Sequence, residues 1–330
     1  APSTPLAAVI AAVRRRAWSE AHTALTALSP EVLATREGRY LQARVRIERG
    51  DYAGALTALQ GLDALLPVLR VDVLRLEARC LGRVGRHAEA RALYERLARE
   101  GGGDRDRAFA VLEAWEAGDH AAAAPTMRAW AEHPPSSLDR TRAWQSAARC
   151  LEAAQDPRAA VAAWRALAVH EPDTAAGAEA LQALQRLGAP LSTAQSLERA
   201  ATLIERARHT EAIAALEPLA PDRGAVEARR LHLLGRAYFG ARNRYEDAHR
   251  LLAQAALHPD NAHRSEDAFL AARALSRADQ DDNAVRRYDE VARTERGRWG
   301  DEAAYRAAWL EVHHRRTDNA VARLRAFLRD

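Results

Sequence analysis

The chain contains no lysine, so all 49 of its basic residues are arginine. With 45 acidic residues they leave a formal net charge of only +4, and both signs are spread along the whole sequence. Nucleic-acid-binding proteins usually gather their basic residues on one face, so the sequence predicts no nucleic-acid partner. The exclusive use of arginine has two explanations that the sequence leaves open. The planar guanidinium suits carboxylates and phosphates, and a GC-rich genome favours arginine codons.

Cysteine is also scarce, with only Cys80 and Cys150 in the chain. They lie in different predicted repeats without any C-x-x-C spacing, so we interpret both as buried small side chains rather than as a disulfide or a metal-binding pair. His313 and His314 are adjacent, and neighbouring helical side chains point roughly 100° apart, which does not suit a metal site. We expect neither a metal nor a cofactor.

Long apolar runs and enzyme motifs are absent as well. No stretch approaches the roughly 18 apolar residues of a membrane-spanning helix, so no membrane span is predicted. The phosphate-loop, dinucleotide-binding, serine-hydrolase and zinc-protease patterns do not occur. We identify no catalytic residue, which favours binding over catalysis, although the chain could still be part of a larger enzyme.

Aromatic residues make up only 5% of the sequence, and the strict alternation of β-branched residues that a sheet requires is missing. Ala, Leu, Arg and Glu dominate, and all four favour helices. A short segment recurs nine times, in which a turn is followed within a few residues by an alanine that opens an apolar helix. These alanines are Ala21, Ala55, Ala90, Ala123, Ala160, Ala212, Ala248, Ala284 and Ala320.

The successive spacings are 34, 35, 33, 37, 52, 36, 36 and 36 residues, close to the helix–turn–helix period of about 34 in tetratricopeptide repeats. The seventh copy, L-x-x-L-G-x-x-Y from Leu231 to Tyr238 followed by Ala248, resembles that family's signature. We predict an all-α fold, a right-handed α-superhelix (α-solenoid) of about nine tetratricopeptide-like helix pairs. The 52-residue interval predicts one extra helix near 174–187, and thus two lobes, 1–190 with units one to five and 191–330 with units six to nine.

The resemblance implies that the first helix of each pair lines a concave groove. Laid on units seven to nine, this register places basic and aromatic residues inward. The candidates are Arg229, His232, Arg236, Phe239, Glu266, Phe269, Arg273, Arg277, Tyr305, Trp309 and His313. Aromatic rings beside guanidinium groups suit sugars or peptides that carry carboxylates. The alternative is that the aromatic residues pack between helices, and Glu311, where the register expects an apolar residue, weakens the assignment in unit nine.

The last hundred residues also resemble the α-superhelical region of soluble lytic murein transglycosylases. The similar segments, within about 229–329, include R-R-L-H-L-L-G-R-A-Y-F, E-D-A-F-L-A-A-R-A-L-S-R-A-D-Q and G-D-E-A-A-Y-R-A-A-W-L-E-V-H. That family places a lysozyme-like catalytic domain with a Glu-Ser motif after the superhelix. The present sequence has no Glu-Ser dipeptide, so no catalytic residue is carried over and we expect the catalytic domain to be absent.

This resemblance implies a periplasmic, exported protein that binds or orients peptidoglycan glycan strands and supports the missing domain. Because the chain begins at Ala1 and its only methionine is Met127, we expect either a removed signal peptide or a truncated chain. The alternative hypothesis is a tetratricopeptide-type scaffold of the bacterial envelope that binds a protein or peptide partner.

Overall fold

The chain was analysed as a computed structural model, which describes residues 5–327. Within that range the chain forms 21 α-helices and no β-strand. The helices are α1 (Ala7–Arg14), α2 (Trp18–Thr26), α3 (Pro30–Ala34), α4 (Arg36–Glu48), α5 (Tyr52–Leu59), α6 (Leu62–Leu65), α7 (Arg70–Arg83), α8 (His87–Leu97), α9 (Gly103–Glu116), α10 (His120–Glu132), α11 (Arg140–Ala153), α12 (Pro157–His170), α13 (Ala175–Arg186), α14 (Thr193–Glu205), α15 (His209–Leu216), α16 (Gly224–Ala241), α17 (Tyr245–Leu257), α18 (Arg264–Arg277), α19 (Asp281–Thr294), α20 (Arg298–His313) and α21 (Thr317–Phe327).

Eighteen of these helices follow one another as the nine predicted helix pairs. The pairs are α1–α2, α4–α5, α7–α8, α9–α10, α11–α12, α14–α15, α16–α17, α18–α19 and α20–α21. The odd helix expected near 174–187 is α13, and the short helices α3 and α6 occupy connections between pairs. The prediction of an all-α fold of tetratricopeptide-like helix pairs with one extra helix is confirmed.

The nine repeat alanines hold the same place in every pair. Each is the fourth residue of the second helix, and each is between 0% and 2% exposed. A methyl group is small enough to let two antiparallel helices approach closely just after the turn that joins them. In the seventh pair Ala248 shares one core cluster with Leu234, Tyr238 and Leu252. The recurrence of alanine in the sequence thus has a packing cause.

The turn inside each pair contains one residue in the left-handed region. It lies five residues before the repeat alanine, or six in the seventh pair, with φ between 56° and 82°. These residues are Arg16, Gly50, Gly85, Gly118, Gln155, Ala207, Arg242, Asp279 and Arg315. A left-handed residue ends a helix and reverses the chain, and glycine adopts this conformation without strain. Six of the nine turns use another residue and carry a conformational cost of about 1 kcal/mol each.

We expect Ala207→Gly to stabilise the protein by about 0.5–1 kcal/mol, because the strain of the left-handed alanine that it relieves outweighs the added freedom of glycine in the unfolded chain. Ala207 is exposed, so no packing is lost. Ala214→Gly is the matched control, since it changes an exposed alanine inside helix α15 and should destabilise by about 1 kcal/mol. Urea unfolding followed by circular dichroism measures both. Shifts of the same sign in the two variants would contradict the strained-turn explanation.

Side-chain caps begin several of the helices. Asp51, Asp119 and Asp156 each stand four residues before a repeat alanine, and their carboxylates accept hydrogen bonds from the backbone N–H of Gly54, Ala122 and Ala159 at 2.9, 3.1 and 3.2 Å. Such caps satisfy backbone N–H groups that lack a partner in the first turn. Asp followed four residues later by Ala is therefore a cap followed by a close-packing residue.

The chain divides into two compact units, one up to Ala163 and one from Trp164 onward. The predicted division into lobes at 190/191, after α13, stays a prediction. Cys80 and Cys150 both belong to the first unit and are buried as free thiols. Burial raises the pKa of each thiol to about 11, so both remain protonated and unreactive at neutral pH.

Candidate functional site

The predicted groove residues lie on α16, α18 and α20, the first helices of the last three pairs, all within the second unit. Their exposure divides them into three groups. Arg229, Arg277, Tyr305, Trp309 and His313 are exposed; Arg236, Phe239, Glu266 and Arg273 are partly buried; His232 and Phe269 are buried.

His232 was predicted to face the groove, and this is wrong. Its side chain is only 3% exposed and its Nδ1 lies 2.7 Å from Oδ1 of Asp267, which is fully buried. Asn261 Nδ2 donates to the other carboxylate oxygen at 2.8 Å, and the His263 ring stacks on His232 with centroids 4.2 Å apart. His232 therefore links α16 to α18 as part of a buried polar network, because a buried carboxylate needs hydrogen-bond donors.

Phe269 was also predicted to line the groove, and the structure contradicts this as well. It is 2% exposed, and its ring lies 5.7 Å from that of Tyr288 and 5.2 Å from that of Trp299. Tilted aromatic contacts at such distances are typical of a packed core. The alternative that aromatic residues of this register pack between helices holds for Phe269.

Four other predicted residues meet in one cleft of about 260 Å³ between α18, α19 and α20. They are Arg273, Arg277, Trp309 and His313. The remaining lining residues are Ser276, Asp279, Asp281, Tyr288, Arg306 and Leu310. Helices α18 and α20 lie side by side, so side chains spaced one turn apart on each helix reach the same space.

The charges of the cleft are only partly neutralised from within. Arg306 pairs with Glu302 at 2.9 Å, and Asp281 Oδ2 lies 2.8 Å from Nε2 of His314. In contrast, no carboxylate among residues 5–327 lies within ion-pairing distance of Arg273 or Arg277. The cleft therefore offers two free guanidinium groups, which donate paired hydrogen bonds to carboxylates or phosphates.

Tyr288 adds a neutral donor to the floor of the cleft. Burial raises the pKa of its phenol to about 12, although the guanidiniums of Arg273 and Arg306 act in the opposite direction. Its hydroxyl makes no hydrogen bond to any residue that the structure describes. A protonated hydroxyl in this position can donate to a carbonyl or carboxylate oxygen of a ligand.

An apolar ledge borders the same cleft on α20. Trp309 is 54% exposed, and the nearby Tyr305 is 42% exposed, with ring centroids 6.4 Å apart and nearly parallel planes. Neighbouring exposed aromatic rings form a contiguous apolar patch, and such patches often mark a surface that contacts a partner. The two rings supply a flat surface beside the free guanidinium groups.

The remaining predicted residues lie outside this cleft. Arg273 links the cleft to α16, because its guanidinium carbon lies 5.6 Å from the ring centroid of Phe239. Arg236 lies near His209, whose pKa is lowered mainly by burial. The positive charges of Arg236 and Arg242 lower that pKa further. Arg229 is exposed roughly two turns before Arg236 and does not line the cleft.

Tyr288 and Arg306 were missed by the sequence analysis because only one face of the first helices was considered. Tyr288 lies on α19, four residues after the repeat alanine Ala284. That spacing puts it one helical turn along the face that packs on the first helices. A polar aromatic residue at this buried position was the available signal.

Comparisons with known proteins give only remote similarities. No protein-family description matches the chain, and no curated protein matches it. Among solved structures, Naa15/Naa10 bound to HypK-THB matches with 14% identity and a TM-score of 0.38, and the match covers 96% of this chain but 56% of that one. The TPR domain of P58(IPK) gives 16% identity, coverage of 94% and 98% and a TM-score of 0.32. Yeast Tom70 gives 12% identity, coverage of 97% and 90% and a TM-score of 0.23.

These scores are too low to add to the fold assignment, which rests on the helix pairs themselves. The present chain spans about half the length of the first of these structures. None of the helices within residues 5–327 is both long and apolar enough to cross a bilayer. In the same range, no group of three or more His, Cys, Asp or Glu side chains is arranged to hold a metal ion.

Proposed function

We propose that the chain is a tetratricopeptide-type scaffold whose cleft binds an extended acidic segment of a protein partner. The observation that carries this proposal is the pair of guanidinium groups, Arg273 and Arg277, left without a carboxylate beside the exposed ring of Trp309. Free charge and exposed apolar surface together are what a peptide with both acidic and apolar side chains requires.

Each part of the cleft has a role in this binding mode. The two arginines bind one or two carboxylates of the segment, and the Tyr288 hydroxyl donates to an oxygen of its backbone. The ledge formed by Trp309 and Tyr305 covers an apolar side chain. Asp279 at the rim disfavours a continuous run of negative charge, so acidic residues that alternate with apolar ones match best.

The test is fluorescence anisotropy with a fluorescein-labelled peptide of alternating Glu and Leu. Each lost charge-assisted hydrogen bond weakens binding about tenfold, so we expect R273Q/R277Q to raise the Kd roughly 100-fold. The matched control is R286Q/R287Q, which removes two exposed arginines from α19, one hydrogen-bonded to Asn283 and the other paired with Glu290. Equal weakening by both double variants would refute a specific cleft, and so would no weakening by either.

A second candidate is favoured by the stacked, exposed pair Tyr305 and Trp309, since flat aromatic surfaces also suit sugar rings. In this proposal the chain is the superhelical region of a periplasmic lytic transglycosylase and orients peptidoglycan strands. Retention on purified sacculi at moderate salt, lost with Trp309→Ala but not with Trp18→Ala, would support it. Binding of the acidic peptide without retention on sacculi would leave the protein-partner proposal alone.

A further inference from the structure

The first unit contains a second, larger cleft that the sequence analysis did not consider. Its volume is about 670 Å³, and it is lined by side chains from α7, α8, α9 and α11. All of these residues precede Ala163. The cleft is thus separate from the one on α18 and α20, and a binding site in it is independent of the proposed function.

One wall of this cleft is fixed by an ion pair between Arg75 and the buried carboxylate of Asp106. Asp106 is only 1% exposed, and both of its carboxylate oxygens receive hydrogen bonds from Arg75, at 3.0 Å from Nε and 2.7 Å from Nη2. Arg75 also donates to the carbonyl of Gly102 at 3.3 Å. These contacts neutralise both charges, and the buried Asp106 is not available to a ligand.

Two further acids of the cleft are also engaged. Glu113 Oε2 lies 2.8 Å from Nδ1 of His87, and it approaches α7 closely because Gly82 has no side chain there. Asp72 accepts a hydrogen bond from the hydroxyl of Tyr40. Among the described lining residues, only Glu116 remains as an acid without a partner.

The free cations outnumber that single acid. Arg83, Arg105 and Arg142 line the cleft and have no carboxylate within ion-pairing distance among residues 5–327. Arg105 and Arg142 both lie against the ring of Phe109. The guanidinium carbon of each is 5.7 Å from the ring centroid. Phe109 is itself fixed by stacking on Tyr94 at 5.3 Å. A guanidinium beside an aromatic ring keeps its N–H edges free for a bidentate acceptor.

We propose that this cleft is a second binding site, which takes adjacent carboxylates of an acidic peptide segment on Arg105 and Arg142 at the Phe109 ring. Two fixed guanidiniums match two neighbouring Asp or Glu side chains, and Arg83 adds a third positive charge. A nucleic-acid strand suits the site less well, since Asp72, Glu113 and Glu116 are interleaved with the arginines and would face a continuous line of phosphates.

The test uses the full chain and a fluorescein-labelled peptide in which consecutive Glu residues are flanked by Gly and Ser. We expect R105Q/R142Q to raise the Kd of this peptide roughly 100-fold, from about tenfold for each charge-assisted contact. The matched control is R99Q/R107Q, which removes two arginines of the same unit that line a different depression. It should change the Kd less than about threefold, roughly the effect of a long-range surface charge.

A charge exchange tests the same geometry without relying on loss of binding. R105E/R142E should bind a peptide of consecutive Lys residues that the original chain does not bind. None of the four substituted arginines is buried, so unchanged urea midpoints are expected for every variant. An R105Q/R142Q variant with unchanged affinity would overturn the proposal.

Two other results would also overturn it. If R273Q/R277Q alone abolishes binding of the Glu peptide, the acidic segment binds only in the second unit. If a labelled oligouridine binds more tightly than the Glu peptide and R105Q/R142Q weakens it, the site takes nucleic acid. The proposed function of the cleft on α18 and α20 is tested separately, by the Kd of R273Q/R277Q for the peptide of alternating Glu and Leu.

Discussion

Replacing Asp267 by alanine is expected to destabilise the second unit by about 3–4 kcal/mol, because it leaves His232 and Asn261 without their hydrogen-bond acceptor and each such loss costs about 1–3 kcal/mol. The carboxylate is fully buried and accepts hydrogen bonds from His232 and Asn261. Its removal leaves His232 Nδ1 buried without an acceptor between α16 and α18. Because helical repeats can unfold locally, hydrogen exchange is the appropriate measurement. Amide protection in α16–α18 should fall by about two to three orders of magnitude.

Two variants separate this explanation from a simple loss of packing. Glu266→Ala changes the preceding residue of α18, which is partly exposed and lies 3.7 Å from His263, and it should cost less than about 1 kcal/mol. The double variant H232L/D267L removes both polar partners, so it should be more stable than D267A. A double variant as unstable as D267A would show that the shape of the side chains, rather than an uncompensated polar group, sets the cost.

The architecture could be predicted from the sequence because each pair repeats one steric requirement. The second helix of each pair needs a small residue at its fourth position, and alanine occupies that position in all nine pairs. The extra helix α13 was predictable because it lengthens one interval without disturbing the others. The left-handed turn residue could not be predicted as a motif, because glycine occupies this position in only three of the nine turns, at Gly50, Gly85 and Gly118. A turn held by its neighbours tolerates other residues at a cost of about 1 kcal/mol.

The candidate site could be predicted only in part. A helical register shows which side of the helix a residue faces, but not whether a neighbouring helix buries it. Arg273, Arg277, Trp309 and His313 do share a cleft, whereas His232 and Phe269 point toward a neighbouring helix at the same register and are covered by it. The partner of His232 lies 35 residues away, one repeat along the chain. No single-repeat pattern contains that pairing.

Glu311 occupies a buried position in the ninth pair despite its charge. Its side chain is 4% exposed, as expected for an apolar position. The sequence could not show how the charge is accommodated. Arg316 of the last turn and Arg323 of α21 lie 3.6 Å from its two oxygens, and one of those oxygens lacks a hydrogen bond within the described chain.

Gly177→Ala is expected to destabilise the second unit by about 3 kcal/mol, near the upper end of the usual cost of overpacking. An alanine inside a helix is normally about 1 kcal/mol more favourable than glycine, so helix propensity alone predicts the opposite sign. Gly177 is the buried third residue of α13, and a Cβ built on it overlaps the backbone carbonyl oxygen of Glu171. The carbonyl group of Glu171 belongs to the backbone and cannot rotate away as a side chain would. It is also held in place by Thr174, whose hydroxyl donates a hydrogen bond to it at 2.8 Å.

Gly54→Ala is the matched control for this substitution. Gly54 is likewise the third residue of its helix, α5, and donates its N–H to the capping residue Asp51 as Gly177 does to Thr174. The three atoms nearest to a Cβ at Gly54 all belong to the carboxylate of Asp51, an exposed side chain that can turn aside, so the loss should stay below about 1 kcal/mol. Hydrogen exchange of α13 and α5 in the two variants measures the difference. Equal losses would mean that the cap, which both variants disturb, controls stability rather than the carbonyl of Glu171.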